Sequence, residues 1–503
     1  MRLPTSGQAG LVARRLSGIH DPIGLRSSLE APMLFRRTHG RSLILVDSAL
    51  RLEASGGEAR LTAMSEGGAI LLARIVERMA EHVVGLGDGE AKFRFDRCDH
   101  PDESVREHAP TALHLLRALG SGLSPLDGDE PFAIAVIGLV GFDHVDMVEA
   151  LPERAAGDFP DLIFDLAETL VVVEPCGAAR VLAMVVGSDD PAEAHRQYHL
   201  AAERLKRAVA RCDAIGEAPA PSPADIVDAT PDLDDRQFSS ILVRLKEHIA
   251  AGDIFQAVPS RAFRAPCADP QAAFRRLVTA DPSAYQYMFD SGHGLLFGAS
   301  PETAVQIRRE EGRRIVSVSP IAGTRPRGKT ADEDSRNEAD LRMDAKETAE
   351  HMMLVDLARN DIARISRPGT RTVPTLLGVE RFARVMHLVS TVEGELLEGK
   401  DAVGAIRACL NVGTLSGAPK LKAIELIRAV EPSARGPYGG AIGWIAGDGS
   451  MDSAVVIRSA LVRDGVAEVR AGAGVVADSD PMAEAAETRA KASAVLAALG
   501  AAA

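Results

Sequence analysis

Lys346–Asp361 reads KETAEHMMLVDLARND, and the reading of the whole chain works outward from this run. As a helix it sets Glu347 and Glu350 three residues apart on one face, so that both carboxylates can converge on one cation. A second pair has the same spacing: Glu484 and Glu487 in DPMAEAAETRAK, residues 480–491. There Asp480 suits a helix cap and Pro481 the first helical position. Oxygen ligands without His or Cys suit a hard ion such as Mg²⁺. Glutamates on helices are more often plain solvated surface, and spacing alone does not bring the two segments together. Both readings stay open on this pattern.

Around these helices the chain alternates. Helical stretches are expected at 235–251, 337–364, 400–409 and 480–499, and strands at 294–298, 303–308, 313–319, 440–446, 453–461 and 467–476. Earlier, Leu43–Val46 and Leu50–Ala54 read as strands. Gly56-Gly57 turns the chain into Ala59–Met64, Phe132–Val140 is a buried-strand candidate, and Pro191 opens a helix through Ala192–Arg211. The mixture predicts an α+β fold with large mixed or antiparallel sheets and surrounding helices, with neither a βαβ rhythm nor a repeat. The Ala/Pro-rich run 213–228 reads as a linker between an N-terminal region, 1–212, and a catalytic domain, 229–503.

Composition narrows the function classes. The 503 residues are 46% hydrophobic and 25% charged, with a net charge of −14. That balance speaks against nucleic-acid binding, which rests on clustered Lys and Arg. No apolar run nears the roughly 18 residues that span a bilayer, and the N-terminus, with Arg2, Arg14 and Arg15, lacks a secretory h-region. Cys98, Cys176, Cys212, Cys267 and Cys409 are scattered with no C-x-x-C pair. A cytoplasmic protein with reduced thiols is the expectation.

Four further features carry chemistry or nothing. Ala471-Gly472-Ala473-Gly474-Val475 lets backbone N–H groups approach an anion, yet does not open a helix as a dinucleotide fingerprint does. Gly413–Lys420, GTLSGAPK, lacks the spacing of a phosphate loop. Arg458 is either a carboxylate fork or a solvated strand residue, and His387 in RVMHLVS, by itself, is more often a satisfied core histidine.

Many longer segments together resemble the chorismate-utilising enzymes, and within them anthranilate synthase component I. They are GDIFQAVPSR (252–261), LFGASPE (296–302), PIAGTRPRG (320–328), EHMMLVDLARND (350–361), VMHLVS (385–390), GTLSGAPK (413–420), GPYGGAIGW (436–444), VIRSA (456–460) and AGAGVVADSDP (471–481). The likeness reaches back through DLAETLVVVE (165–174) and LILVDSAL (43–50), so it covers most of the chain. It implies the family's α+β fold, with C-terminal sheets enclosing the site.

The resemblance also implies roles. Glu350 and Glu487 would hold Mg²⁺ directly, with Glu347 and Glu484 beside them; the ion would neutralise the ring carboxylate of chorismate. Gly323 and Thr324 would contact that carboxylate. Arg458, Tyr438 and the backbone of Gly472, Ala473 and Gly474 would grip the enolpyruvyl carboxylate, with Lys491 nearby. Glu302 would be the general acid for loss of the 4-hydroxyl. His387, with Thr414 close by, would assist loss of pyruvate, and Gln256 would guide ammonia. Relatives that make aminodeoxychorismate carry Lys where this chain has Ala322. Isochorismate and salicylate synthases carry Lys where it has Gln256. Both positions favour anthranilate formation. The alternatives are an aminodeoxyisochorismate synthase of secondary metabolism without the lyase step, and a silent regulatory subunit. Ala490 departs from the family's usual Asn.

By the same resemblance, ammonia comes from a separate glutamine amidotransferase subunit in a hetero-oligomer, since no cysteine here sits in a nucleophile turn. The family's tryptophan site is degenerate. Its L-L-E-S segment matches in part at Ser28-Leu29-Glu30-Ala31, and its N-P-S-P-Y-M segment at DPSAYQ (281–286), with Ala284, Tyr285 and Gln286.

Overall fold

The computed structural model describes residues 3–126, 128, 130–214, 223–381 and 385–501. Its spine is a pair of long strands, Ser42–Ser55 and Leu162–Val173, antiparallel from Ser42↔Val173 to Ala54↔Leu162. The second strand, LIFDLAETLVVV, is buried at every position, which is why its apolar run is nearly unbroken. Its polar residues then need partners: Arg51 donates twice to Asp165, both at 3.0 Å.

The spine feeds two sheet arms. At one end Leu162–Leu166 pairs with Ala135–Val140. From there the ladder runs through Ala441–Ala446, Met451–Val455, Thr303–Glu310 and Arg313–Val318 to Val385–Glu395. At the other end Ser42–Leu45 pairs with Met33–Arg37. That ladder continues through Tyr285–Asp290, Leu295–Ser300, Ser459–Arg463 and Val466–Gly472 to Ser260–Pro266. Among the described residues 23 strands join in this network. Nearly all pairs are antiparallel; Gln8–Arg15 beside Ser124–Pro125 is parallel. The α+β architecture with large mixed and antiparallel sheets is therefore as expected.

Some elements differ from the sequence reading. The two strands expected at 43–46 and 50–54 are one, with register shifts between Leu45 and Leu50. Phe132 and Ala133 form a 3₁₀ turn ahead of the strand Ala135–Val140. The helix expected over 337–364 is two, Ala331–Met343 and Ala345–Ala363, because Asp344 turns extended and caps the second by accepting from Glu347 N–H. The strand expected over 453–461 is also two, Met451–Val455 and Ser459–Arg463.

Of the stretch expected as a linker, residues 215–222 lie outside the described residues. Strands from both sides of it share the network: Met33–Arg37 pairs with Tyr285–Asp290, and Ala135–Val140 with Ala441–Ala446. No helix among the described residues is long and apolar enough to cross a membrane.

Candidate active site

The helix Pro481–Leu499 starts as its sequence predicts, with Asp480 accepting from Ala483 N–H and proline in the first turn. Glu484 and Glu487 follow within two turns. The helix Ala345–Ala363 presents Glu347 and Glu350 in the same way, and all four carboxylates line one cavity of about 480 Å³.

Three of the four carboxylates lean on a cation. Arg325 lies 3.4 Å from Glu347, Lys346 3.6 Å from Glu350 and Lys491 2.7 Å from Glu487. Burial raises the carboxyls of Glu347, Glu350 and Glu484 above their usual range. Burial opposes ionisation of Glu487 as well, but Lys491 outweighs it and holds that carboxyl low. No three metal-ligating side chains among the described residues are already gathered into a cage. The donor set nevertheless suits a hard divalent cation. It is all carboxylate, and Glu350 Oε1 is buried with no hydrogen-bond partner.

The facing wall comes from the strand Ile321–Pro326. Its pairing with Val385–Glu395 slips between Ala322 and Thr324, with Gly323 at φ +78°. This bulge turns Gly323 and Thr324 into the cavity. Opposite them, His387 Nδ1 is 3.1 Å from Gly323 O and 2.9 Å from Thr324 Oγ1. A carbonyl only accepts, so Nδ1 carries the proton and Nε2 the lone pair. Burial pushes the imidazole down to about 4, with Arg458 and Lys491 acting in the same sense against the Gly323 hydrogen bond. His387 is thus neutral, with a base nitrogen.

Glu302 is its counterpart. Fully enclosed, its carboxyl is pushed up to about 8 by burial, against a hydrogen bond from Thr414 Oγ1 at 2.8 Å and the charge of Lys491. It therefore holds a proton at neutral pH. Gln256 lines the same cavity, and its Oε1 is buried with no hydrogen-bond partner.

The third wall suits an anion. Between the two strands that replace 453–461, Arg458 takes a left-handed backbone at φ +50°, a conformation that costs a non-glycine residue about 1 kcal/mol or more. This aims its side chain into the cavity. Among the described residues its guanidinium has neither an ion-pair nor a hydrogen-bond partner. Tyr438, Gly472 and Gly474 sit beside it, and Lys491 Nζ donates to Gly472 O at 3.1 Å. A Cβ on Gly472 would lie 2.7 Å from Pro259 O, so glycine is required there. Ala473 does not line the cavity, and its N–H donates to Pro259 O.

Of the sixteen residues expected in catalytic, substrate-binding or metal roles, all but Ala473 line this one cavity, and Lys346 and Arg470 line it without being expected. Lys346 was hidden by its own helix: beside two glutamates it reads as a routine surface ion pair. Lys420, in the glycine-rich run, is spent on Asp361 at 2.9 Å.

The four residues proposed for a degenerate tryptophan site are not on one face. Ser28 and Leu29 end the helix Pro22–Leu29, and Glu30 is its left-handed cap, so Ala31 is not in a strand. The strand beside Tyr285 and Gln286 is Met33–Arg37, with Arg37 opposite Tyr285 and Arg36 opposite Gln286. Tyr285 and Gln286 alternate to opposite sides. Tyr285 packs with Phe35 and Tyr287, whereas Ala31 lies in a separate core with Leu34 and Met288. Ala284 borders the Tyr285 side.

The family described as chorismate binding enzyme matches residues 80–497. The chain is 46% identical over 475 residues to the pyocyanine-specific anthranilate synthase component 1 of Pseudomonas aeruginosa, covering 92% of this chain and 87% of that one. It is 42% identical over 483 residues to anthranilate synthase component 1 of Vibrio parahaemolyticus, covering 94% and 88%. The crystal structure of anthranilate synthase component I from Streptococcus pneumoniae superposes with a TM-score of 0.69 at 29% identity, covering 91% and 92%.

Proposed function

Since the chain belongs to the chorismate-binding enzymes and its relatives are anthranilate synthase components 1, we propose that it converts chorismate and ammonia into anthranilate, pyruvate and water. It is an enzyme that acts on chorismate. The observation that carries the finer reading is a proton-bearing carboxyl, Glu302, and a neutral imidazole, His387, facing one cavity.

Arg458, with Tyr438 and Gly472, grips the enolpyruvyl carboxylate. Gly323 and Thr324 border the ring carboxylate. Glu350 and Glu487, with Glu347 and Glu484 beside them, would hold Mg²⁺, which when bound neutralises that carboxylate. Gln256 Oε1 accepts from ammonia and directs its lone pair to ring carbon 2. As the carbon–nitrogen bond forms, both ring double bonds shift by one position, the 4-hydroxyl leaves as water with the proton of Glu302, and the extra proton of the added nitrogen returns to the Glu302 carboxylate. His387 Nε2 then takes the proton from carbon 2. The carbon 3–oxygen bond breaks, the ring becomes aromatic and enolpyruvate leaves, becoming pyruvate once its carbon is protonated.

The two positions that divide the family point the same way. Ala322 has no amine to attack the ring, and Gln256 is no base for water. Of the cysteines, Cys212, Cys267 and Cys409 are buried with thiols raised by burial, poor nucleophiles for glutamine. Ammonia from a partner amidotransferase subunit is the reading supported by the designation component 1 of its relatives. Product analysis of the purified chain with chorismate, Mg²⁺ and ammonium tests the reading. Fluorescent anthranilate with equimolar pyruvate is expected; isochorismate, salicylate or aminodeoxychorismate instead would overturn it.

A further inference from the structure

Lys346 precedes Glu347 on the helix Ala345–Ala363, and its ammonium lies 3.6 Å from Glu350 Oε1. Lys346 lines the same cavity as Glu347, Glu350, Glu484 and Glu487, which come from two separate helices. Four carboxylates lining one cavity repel one another, and a central ammonium offsets that repulsion. The other lysine of the site is held differently. Lys491 Nζ is fixed by Glu487 at 2.7 Å and by Gly472 O at 3.1 Å. Lys346 has no backbone acceptor among the described residues, and its side chain is 49% exposed. Its four-carbon stem can carry the charge out to water without breaking anything else.

We propose that Lys346 is the internal counter-cation of the four-glutamate cluster, which a divalent cation displaces toward solvent when it binds. This rests on reading the cluster as the Mg²⁺ site. It fits a cavity whose carboxylates form no ready cage: Arg325, Lys346 and Lys491 each hold a different one, whereas a divalent ion would draw them together. It also places a limit on affinity, because the ion must compete with a charge that the chain itself supplies. The lysine thus holds the helix ends together before loading and weakens the hold on the metal afterwards.

The test is a titration of Mn²⁺, an oxygen-seeking stand-in for Mg²⁺, into the full chain without substrate, with free ion read by its paramagnetic resonance signal. Lys346→Met and Lys346→Gln should each bind Mn²⁺ more tightly than the wild-type chain, on the order of fivefold for one partly exposed charge removed. Lys346→Arg, which keeps the charge, should stay near wild type. Unchanged or weaker binding by both neutral variants, with normal binding by the wild-type chain, would overturn the role of Lys346 alone. Absence of Mn²⁺ binding by wild type and variants alike would overturn the site beneath it.

Discussion

Glu302 and His387 show how two enclosed side chains acquire opposite proton inventories. Glu302, pushed up to about 8 chiefly by burial, is an acid whose proton is lost as pH rises through that value. His387, pushed down to about 4, remains a base throughout the working range. The rate of amination should therefore fall on the alkaline side near pH 8, since the acid form is the required one, and Glu302→Gln should remove that limb. The same variant should lower kcat by about 10²–10⁴-fold, the usual worth of a placed general acid; a pH–rate profile measured at saturating ammonia checks both. His387→Ala should spare amination and slow pyruvate loss, so mass spectrometry should find accumulated aminodeoxyisochorismate. Equal loss of both steps with no intermediate would mark the histidine as structural. In the sequence, His387 was indistinguishable from a core residue. It is indeed buried, and its Nδ1 contacts with Gly323 and Thr324 reveal the orientation.

Two backbone irregularities build the site at the level of elements. One is the bulge at Gly323, the other the left-handed turn at Arg458. A Cβ at Gly323 would meet Leu388 at 3.2 Å and Glu347 Oε2 at 3.3 Å, at a φ of +78°. Gly323→Ala should thus destabilise the fold by roughly 1–2 kcal/mol and shift Thr324 away from His387; urea denaturation and steady-state kinetics report the two effects separately. Neither irregularity was legible. Through VVIRSA the apolar alternation continues across the break, so 453–461 read as one strand, and Asp344 looked like one more polar residue in a helix. The helix starts were easier, because a cap is a local signal: Asp480-Pro481 announces its helix within two residues. What local pattern carries was found; what depends on distant chain, such as the meeting of Glu350 with Glu487, needed the resemblance or the structure.

Across the whole molecule, strands from residues 33–37 and 285–290 lie side by side, and this junction bears on regulation. Tyr285 is already committed there: its hydroxyl donates to Asp452 at 2.9 Å and meets Thr303 at 2.8 Å, and Arg37 covers its ring while pairing with Asp452 at 2.8 Å. An indole would have to displace that ion pair, and Arg36 and Gln286 beside it offer no apolar wall. Micromolar tryptophan should leave activity essentially unchanged; an inhibition curve with half-inhibition in that range would contradict this. The same breadth of connection governs movement. The strands Ser42–Ser55 and Leu162–Val173 carry ladders at both ends, and a ribbon held that way cannot act as a hinge without opening bonds on both flanks. The two arms form a stiff frame, and loosening is easiest in what is mounted on it with little burial, above all the helix Ala331–Met343, of which only Leu341 is buried. Substrate admission is then a matter of the rim yielding, not of two lobes swinging apart.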